Sequence, residues 1–229
     1  MAGKKYRAFV EKLEDRAYAL NEAIPLLQQH KVSKFDETVE VHLNLGVDPR
    51  HADQMVRGTV VLPHGLGVSK RVLVLASGDK LGEAEEAGAD FFGGEEYVNK
   101  IAKESWLGFD AVVATPDMMR VVSRVGKILG PRGLMPNPKT GTVTVDVAKA
   151  VSEVKAGKIE FRVDRGAVIH APVGKLGFQA EQIAENAGTL IGAVLKARPA
   201  AAKGRYLLKA SICSTMSPSL ALNVDEFGA

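Results

Sequence analysis

Val39-Glu40-Val41-His42-Leu43-Asn44-Leu45 alternates apolar and polar side chains without a break. Successive side chains of a strand point to opposite faces, so the stretch predicts a strand with one face on a core and one in water, as antiparallel sheets allow. Ile159-Glu160-Phe161-Arg162-Val163 repeats the pattern in the last third of the chain. Between the two lie Val72-Leu73-Val74-Leu75-Ala76 and Ala111-Val112-Val113-Ala114, apolar at every position. Such continuous runs suit strands covered on both faces.

The middle runs alternate with helical patterns. Asp79 is a candidate N-cap for a helix through Ala87, stopped by Gly88. Glu95–Lys103 is a second amphipathic segment. Asp117 caps a third, running to Leu129 before Gly130-Pro131 ends it. A short strand at Thr142–Val145 leads into a helix over Asp146–Ala156, closed by Gly157. Strand and helix in repetition predict a mostly parallel sheet with helices on both sides. The two ends resemble each other and differ from the middle, so the middle reads as an insertion, with hinges at Pro63–Gly67 and Ala156–Lys158. One continuous α/β domain with irregular ends is the competing arrangement.

At 229 residues, 46% hydrophobic and 25% charged, the composition is that of a folded globular protein and excludes wholesale disorder. A single cysteine, Cys213, can form no internal disulfide. No apolar run approaches the ~20 residues that span a bilayer. A cytoplasmic, soluble protein without a membrane partner is expected. Lys plus Arg is 30 against 27 for Asp plus Glu, and the net charge of +3 identifies no partner. All of the excess lies in residues 158–229, which carry nine basic and six acidic groups.

Catalytic and cofactor signatures are missing. Ser77-Gly78-Asp79-Lys80-Leu81-Gly82, after the first buried strand, lacks the dinucleotide-binding glycine spacing, and no GxxxxGK[ST] occurs. The five histidines include no HExxH or HxH pairing, and there is no GxSxG elbow. No enzyme, no metal and no cofactor are expected.

Three segments stand out. Gly126–Gly141 packs four glycines, three prolines and three cations (Lys127, Arg132 and Lys139) into sixteen residues without an acid. Glycines permit close approach and the cations supply attraction to phosphate; a stiff surface loop is the plainer reading. Lys34-Phe35-Asp36-Glu37-Thr38 sets an aromatic among polar groups just before the alternating strand. An exposed Phe35 stacks on a base or ribose, whereas a phenylalanine at such a junction is more often core. Ser214-Thr215-Met216-Ser217-Pro218 follows the last long strand and is a weak signal by itself.

Taken together the chain resembles the bacterial large-subunit ribosomal protein L-one family over nearly its whole length. The resemblance rests on KFDETVEV at Lys34–Val41, VRGTVVLPHGLG at Val56–Gly67, FDAVVATPD at Phe109–Asp117, GKILGPRGLMPNPKTGTV at Gly126–Val143, KAGKIEFR at Lys155–Arg162 and IHAPVGK at Ile169–Lys175. It implies an α/β protein of two domains. One is a discontinuous α+β domain with an antiparallel sheet made from both chain ends, 1–65 and 158–229. The other is an inserted Rossmann-like parallel α/β domain, 66–157. It further implies a structural ribosomal protein, monomeric off the ribosome, that binds large-subunit rRNA and forms the mobile stalk near the tRNA exit site. Assistance in releasing deacylated tRNA and repression of translation through its own mRNA are implied as well. The family's RNA-contact motif falls on Phe35, Thr38, Thr215 and Met216, with Lys34, Arg162, Arg165, His170 and Lys175 as adjoining RNA-binding groups. Lys127, Arg132 and Lys139 form the tRNA-facing loop. Three positions depart from the family's usual residues: Ser217 stands for glycine, and Met55 and Val163 stand for asparagine. A Rossmann-like enzyme and a non-ribosomal RNA-binding module are the rival readings.

Overall fold

The computed structural model describes residues 3–78 and 80–228. In chain order the first third forms α1 (Lys4–Val10), α2 (Leu20–Gln29), β1 (Thr38–Leu45) and β2 (Arg57–Val61). The middle forms β3 (Val72–Leu75), α3 (Lys80–Glu86), β4 (Phe91–Gly93), α4 (Glu95–Glu104), β5 (Ala111–Ala114), α5 (Met119–Val122), α6 (Gly126–Leu129) and α7 (Val147–Lys155). The remainder forms β6 (Lys158–Arg162), β7 (Val168–Lys175), α8 (Ala180–Lys196), β8 (Leu207–Ser214) and β9 (Leu220–Leu222). The chain packs as two compact units, Met1–Gly67 with Ile159–Ala229, and Val68–Lys158.

In the end-derived unit β7, β1, β8 and β9 lie in that order in one sheet, and every pairing is antiparallel. Val39, Val41, Leu43 and Leu45 are buried, as the alternation requires, and share a core with Ile24 and Leu27 of α2 and Ile183, Leu190 and Val194 of α8. The strand over Ile159–Val163 is present, but it joins β2 in a separate two-stranded sheet and not the main one. Gly58 is what lets the pair close over its core: a β-carbon there would stand 2.7 Å from the Phe161 ring. Asn186, fully buried in α8, donates to the carbonyls of Gly65 (3.0 Å) and Val173 (2.8 Å) and accepts from the His64 N–H (3.1 Å). One amide thereby ties α8 to β7 and to the segment leaving β2.

In the inserted unit β4, β3 and β5 form a parallel sheet with β3 in the centre. Its period-two alternation feeds two cores. Leu73 and Leu75 pack with Val98, Ile101, Val122 and Leu129, while Val72 and Val74 pack with Ala84, Val147 and Val151. Both faces are therefore covered, which is why these strands read as unbroken apolar runs.

Several local expectations are corrected. The third helix does not run from an Asp117 cap to Leu129. Thr115 holds the capping position, Pro116–Met118 and Ser123–Val125 are 3-10 turns, and only α5 and α6 are α-helical. Gly130-Pro131 does not end the run either, because a proline fits the first turn of a helix. The 3-10 turn Gly130–Arg132 follows, and Gly133, at φ +70°, stops it. The strand expected over Thr142–Val145 is a single bridge between Val143 and Ala114. Asp79 lies outside the described residues. The helix α7 begins as expected, with the Asp146 carboxylate accepting from the Lys149 N–H at 3.1 Å.

Candidate nucleic-acid interface

Because β1 lies between β7 and β8, its first residue has a neighbour on each side. Thr38 sits opposite Lys175 on β7, and Val39 opposite Ser214 on β8. Thr215 follows at once. Its N–H donates to the Thr38 carbonyl (3.1 Å), and its Oγ1 accepts from the Thr38 N–H (3.0 Å). Lys175 Nζ donates to Thr38 Oγ1 at 2.9 Å. Residues 177 positions apart are thus joined by ladder-like bonds that extend the sheet past its regular end.

Under this junction lies Glu37, fully buried. One carboxylate oxygen accepts from the Ser33 N–H (2.8 Å), the other from Ser214 Oγ (2.5 Å) and the Met216 N–H (3.1 Å). Burial alone pushes this carboxyl up; the hydrogen bonds from Ser214, Ser33 and Met216 outweigh it and hold the pKa at about 2. Asp36 accepts from the Gly177 N–H at 3.0 Å, and Leu176 N–H donates to the Glu37 carbonyl at 2.8 Å. The segment 33–38 is therefore stitched to both flanking loops through its acids. Its aromatic is turned outward: Phe35 is 54% exposed and Met216 50% exposed. The core reading of Phe35 fails. Lys34 is exposed and makes no ion pair among the described residues.

Ser217 needs no positive φ. Among the described non-glycine residues only Ser105 and Ala167 have one. Its Oγ accepts from the Ser214 N–H (2.8 Å) and donates to the Pro218 carbonyl (2.9 Å), so the serine closes the turn from within.

A second cluster lies along β7 and at the β6–β7 turn. Arg162 and Arg165 border a cleft of about 660 Å³ with Arg50, Met55 and Val163, which brings two of the departures from the family pattern onto one wall. Arg50 gave no signal in the sequence, where it stands alone in a loop. Asp164 accepts from the N–H groups of Val168 and Gly166, and these bonds hold it below the usual carboxylate range. His170 Nε2 lies 3.4 Å from Asp164, and its Nδ1 lies 2.8 Å from Nδ1 of His42, directly opposite on β1. His42 Nε2 is 3.2 Å from Cys213 Sγ. With both imidazoles neutral, the acceptor-only carboxylate sets one direction along the row: the thiol donates to His42, His42 to His170, and His170 to Asp164. Burial and the neighbouring His170 depress His42, and burial raises Cys213, so the thiol keeps its proton. Among the described residues no side-chain hydrogen bond joins this cluster to Thr215, and of the β7 residues Lys175 is the one bonded to Thr38 through its side chain.

In the inserted unit Lys127, Arg132 and Lys139 are exposed and in no ion pair among the described residues. The segment carrying them is more ordered than a loop: the Asn137 side chain accepts from the Lys139 N–H (2.9 Å), and Thr140, buried, donates to the Asn137 carbonyl (3.0 Å). Among the described residues no cluster of His, Cys, Asp or Glu is built to hold a metal, and no helix is long and apolar enough to cross a membrane.

The pattern of the Ribosomal protein L1p/L10e family matches residues 27–218, a span that holds both clusters and the whole inserted unit. The chain belongs to this family. It is also 65% identical over 225 residues to the "Large ribosomal subunit protein uL1" of Solibacter usitatus (strain Ellin6076), covering 98% of this chain and 95% of that one. L1p/L10e membership makes it a structural component of the large ribosomal subunit, working on the cytoplasmic ribosome, in a family of ribosomal proteins and not of enzymes.

Proposed function

We propose that the end-derived unit binds a folded element of large-subunit rRNA through Phe35, Thr38, Thr215 and Met216. Lys34, Lys175, Arg162, Arg165 and His170 position the RNA backbone from the same unit. The observation that carries this is the exposure of both Phe35 and Met216, on the two segments that the buried, hydrogen-bonded Glu37 ties together. A protein core would bury two such side chains, and solvent exposure of both beside free cations suits stacking and covering of ribose contacts. Cations supply affinity without sequence information, while the 2′-hydroxyls and base edges met at Thr38 and Met216 supply shape specificity. The Thr38 hydroxyl takes its bond from Lys175 and retains its own hydrogen for an RNA acceptor.

On this reading the protein builds the stalk beside the exit site, and the exposed Lys127, Arg132 and Lys139 of the inserted unit meet deacylated tRNA and assist its release. The same RNA-binding surface recognises a similar structure in the protein's own mRNA and so represses translation. The test is binding of rRNA fragments by gel shift. Met216→Ala and Thr215→Val each weaken binding by about 1–3 kcal/mol, the cost of an unmade shielded contact. Thermal unfolding stays close to wild type, since both side chains are exposed. Variants that bind like wild type would show that the site lies elsewhere, and a chain that binds no rRNA fragment overturns the reading.

A further inference from the structure

The loop carrying Thr215 and Met216 has a second wall facing it. Gly3, Lys4, Lys5 and Tyr6, at the start of α1, together with Val32, line an open cleft of about 630 Å³ whose other side is Thr215, Met216 and Ser217. This volume falls within the range of ordinary ligand sites, roughly 300–1,000 Å³. The helix is held in place from behind. Phe9 is 2% exposed, its ring centroid 4.5 Å from that of His30, and Lys5 Nζ donates to the Val32 carbonyl at 3.2 Å. Lys4 and Lys5 are exposed, and neither is in an ion pair among the described residues. The helix lies outside the span 27–218 that the family pattern matches.

We infer that this cleft takes one unpaired nucleotide of the bound RNA, its base between Tyr6 and Met216 and its phosphate on Lys4 and Lys5. The inference rests on the RNA-binding reading above and extends it to α1. An aromatic, a thioether and two unpaired cations around one concavity match a nucleotide's flat apolar face and charged edge; an acidic peptide would engage the lysines but leave the Tyr6–Met216 gap without a flat partner. Base–aromatic stacking tolerates any base, so the cleft adds affinity without reading sequence.

The test uses the full-length chain and the rRNA fragment that wild type binds. The wild-type slope of log affinity against log salt is expected at about −3 to −5, from ~4 to 6 neutralised phosphates. Lys4→Gln with Lys5→Gln, the second keeping a donor for Val32, reduces that slope by about 1 to 2. Tyr6→Leu weakens binding by about 5- to 100-fold, while Tyr6→Phe binds like wild type. RNA carrying 4-thiouridine forms a photo-crosslink to Tyr6. Wild-type affinity and slope in the lysine and leucine variants, with Met216→Ala still weakened, would overturn the inference and leave the RNA-binding reading standing. A wild-type chain that binds no rRNA overturns both.

Discussion

Glu37 is the one charged side chain that is fully buried among the described residues, and it does two jobs at once. It satisfies the N–H groups of Ser33 and Met216, and it fixes the Thr38–Thr215 junction from below. Its folded-state pKa, about 2, lies under the ordinary 4.5, so its stabilisation is complete above about pH 4.5 and is lost as pH falls towards 2. Glu37→Gln puts an amide hydrogen against at least one backbone N–H and should cost about 1–3 kcal/mol at neutral pH. The deficit against wild type should shrink as pH drops through that window; urea midpoints measured from pH 6 to pH 2 check it, and parallel profiles would sink the assignment. Nothing local in Lys34–Thr38 distinguishes Glu37 from Asp36 next to it. The groups that bury it come from Ser214 and Met216 at the far end of the chain, so no window of sequence contains the signal. Phe35, Thr38, Thr215 and Met216 were expected as RNA contacts through the family resemblance, whose quoted motifs include Phe35 and Thr38 and stop short of Thr215 and Met216.

The strands that were read and the helix that was misread differ for a physical reason. Alternation in β1 and continuity in β3 report directly which faces are covered. The run Pro116–Arg132 has helical composition throughout, yet its turns tighten to 3-10 geometry three times. Such tightening depends on how Met118, Val122, Val125 and Leu129 seat on the sheet, a tertiary matter. β4 is three residues long, ends in Gly93, and is too short to show a period. Asn186 is a similar case: in a helical stretch it reads as a solvated polar residue, whereas it joins three elements. Asn186→Ala should leave the His64 N–H and the Val173 carbonyl without partners. A loss of about 2–4 kcal/mol in unfolding free energy is expected, read by urea denaturation. A cost under about 0.5 kcal/mol would mean that water replaces the amide.

At the scale of the molecule, the division into ends and middle followed from two kinds of strand. What did not follow was the partnership of β6 with β2, since strands with one buried face are alike whichever sheet they join. That pairing sets the chain crossings side by side: β2 ends at Val61 and β6 begins at Lys158. Replacing Val68–Gly157 by a short Gly/Ser linker should therefore close at little entropic cost and leave a folded unit. Leu66 and Gly67 are kept, because Leu66 packs on the core and Gly67 lies against Phe178. The shortened protein should bind the rRNA fragment with near-normal affinity, having lost, of the candidate RNA-facing groups, Lys127, Arg132 and Lys139. A product that unfolds, or folds without binding, would place the division or the site wrongly.

The sheet order β7-β1-β8-β9 also dictates a timetable. β1 is central, yet both its partners are encoded far downstream, β7 starting at Val168 and β8 at Leu207. At ~5–20 residues per second the ribosome needs about 6–25 s to travel from Leu45 to Val168, and for that interval four core side chains of β1 have no sheet to join. The inserted unit is completed meanwhile, with its own two cores. Nascent chains stalled after Lys158 has emerged and before β7 is made should resist limited proteolysis across 68–158 and be cut within 38–45. Newborn molecules thus mature from the middle outward, and the proposed RNA face, closed only when Thr215 meets Thr38, is among the last surfaces they acquire.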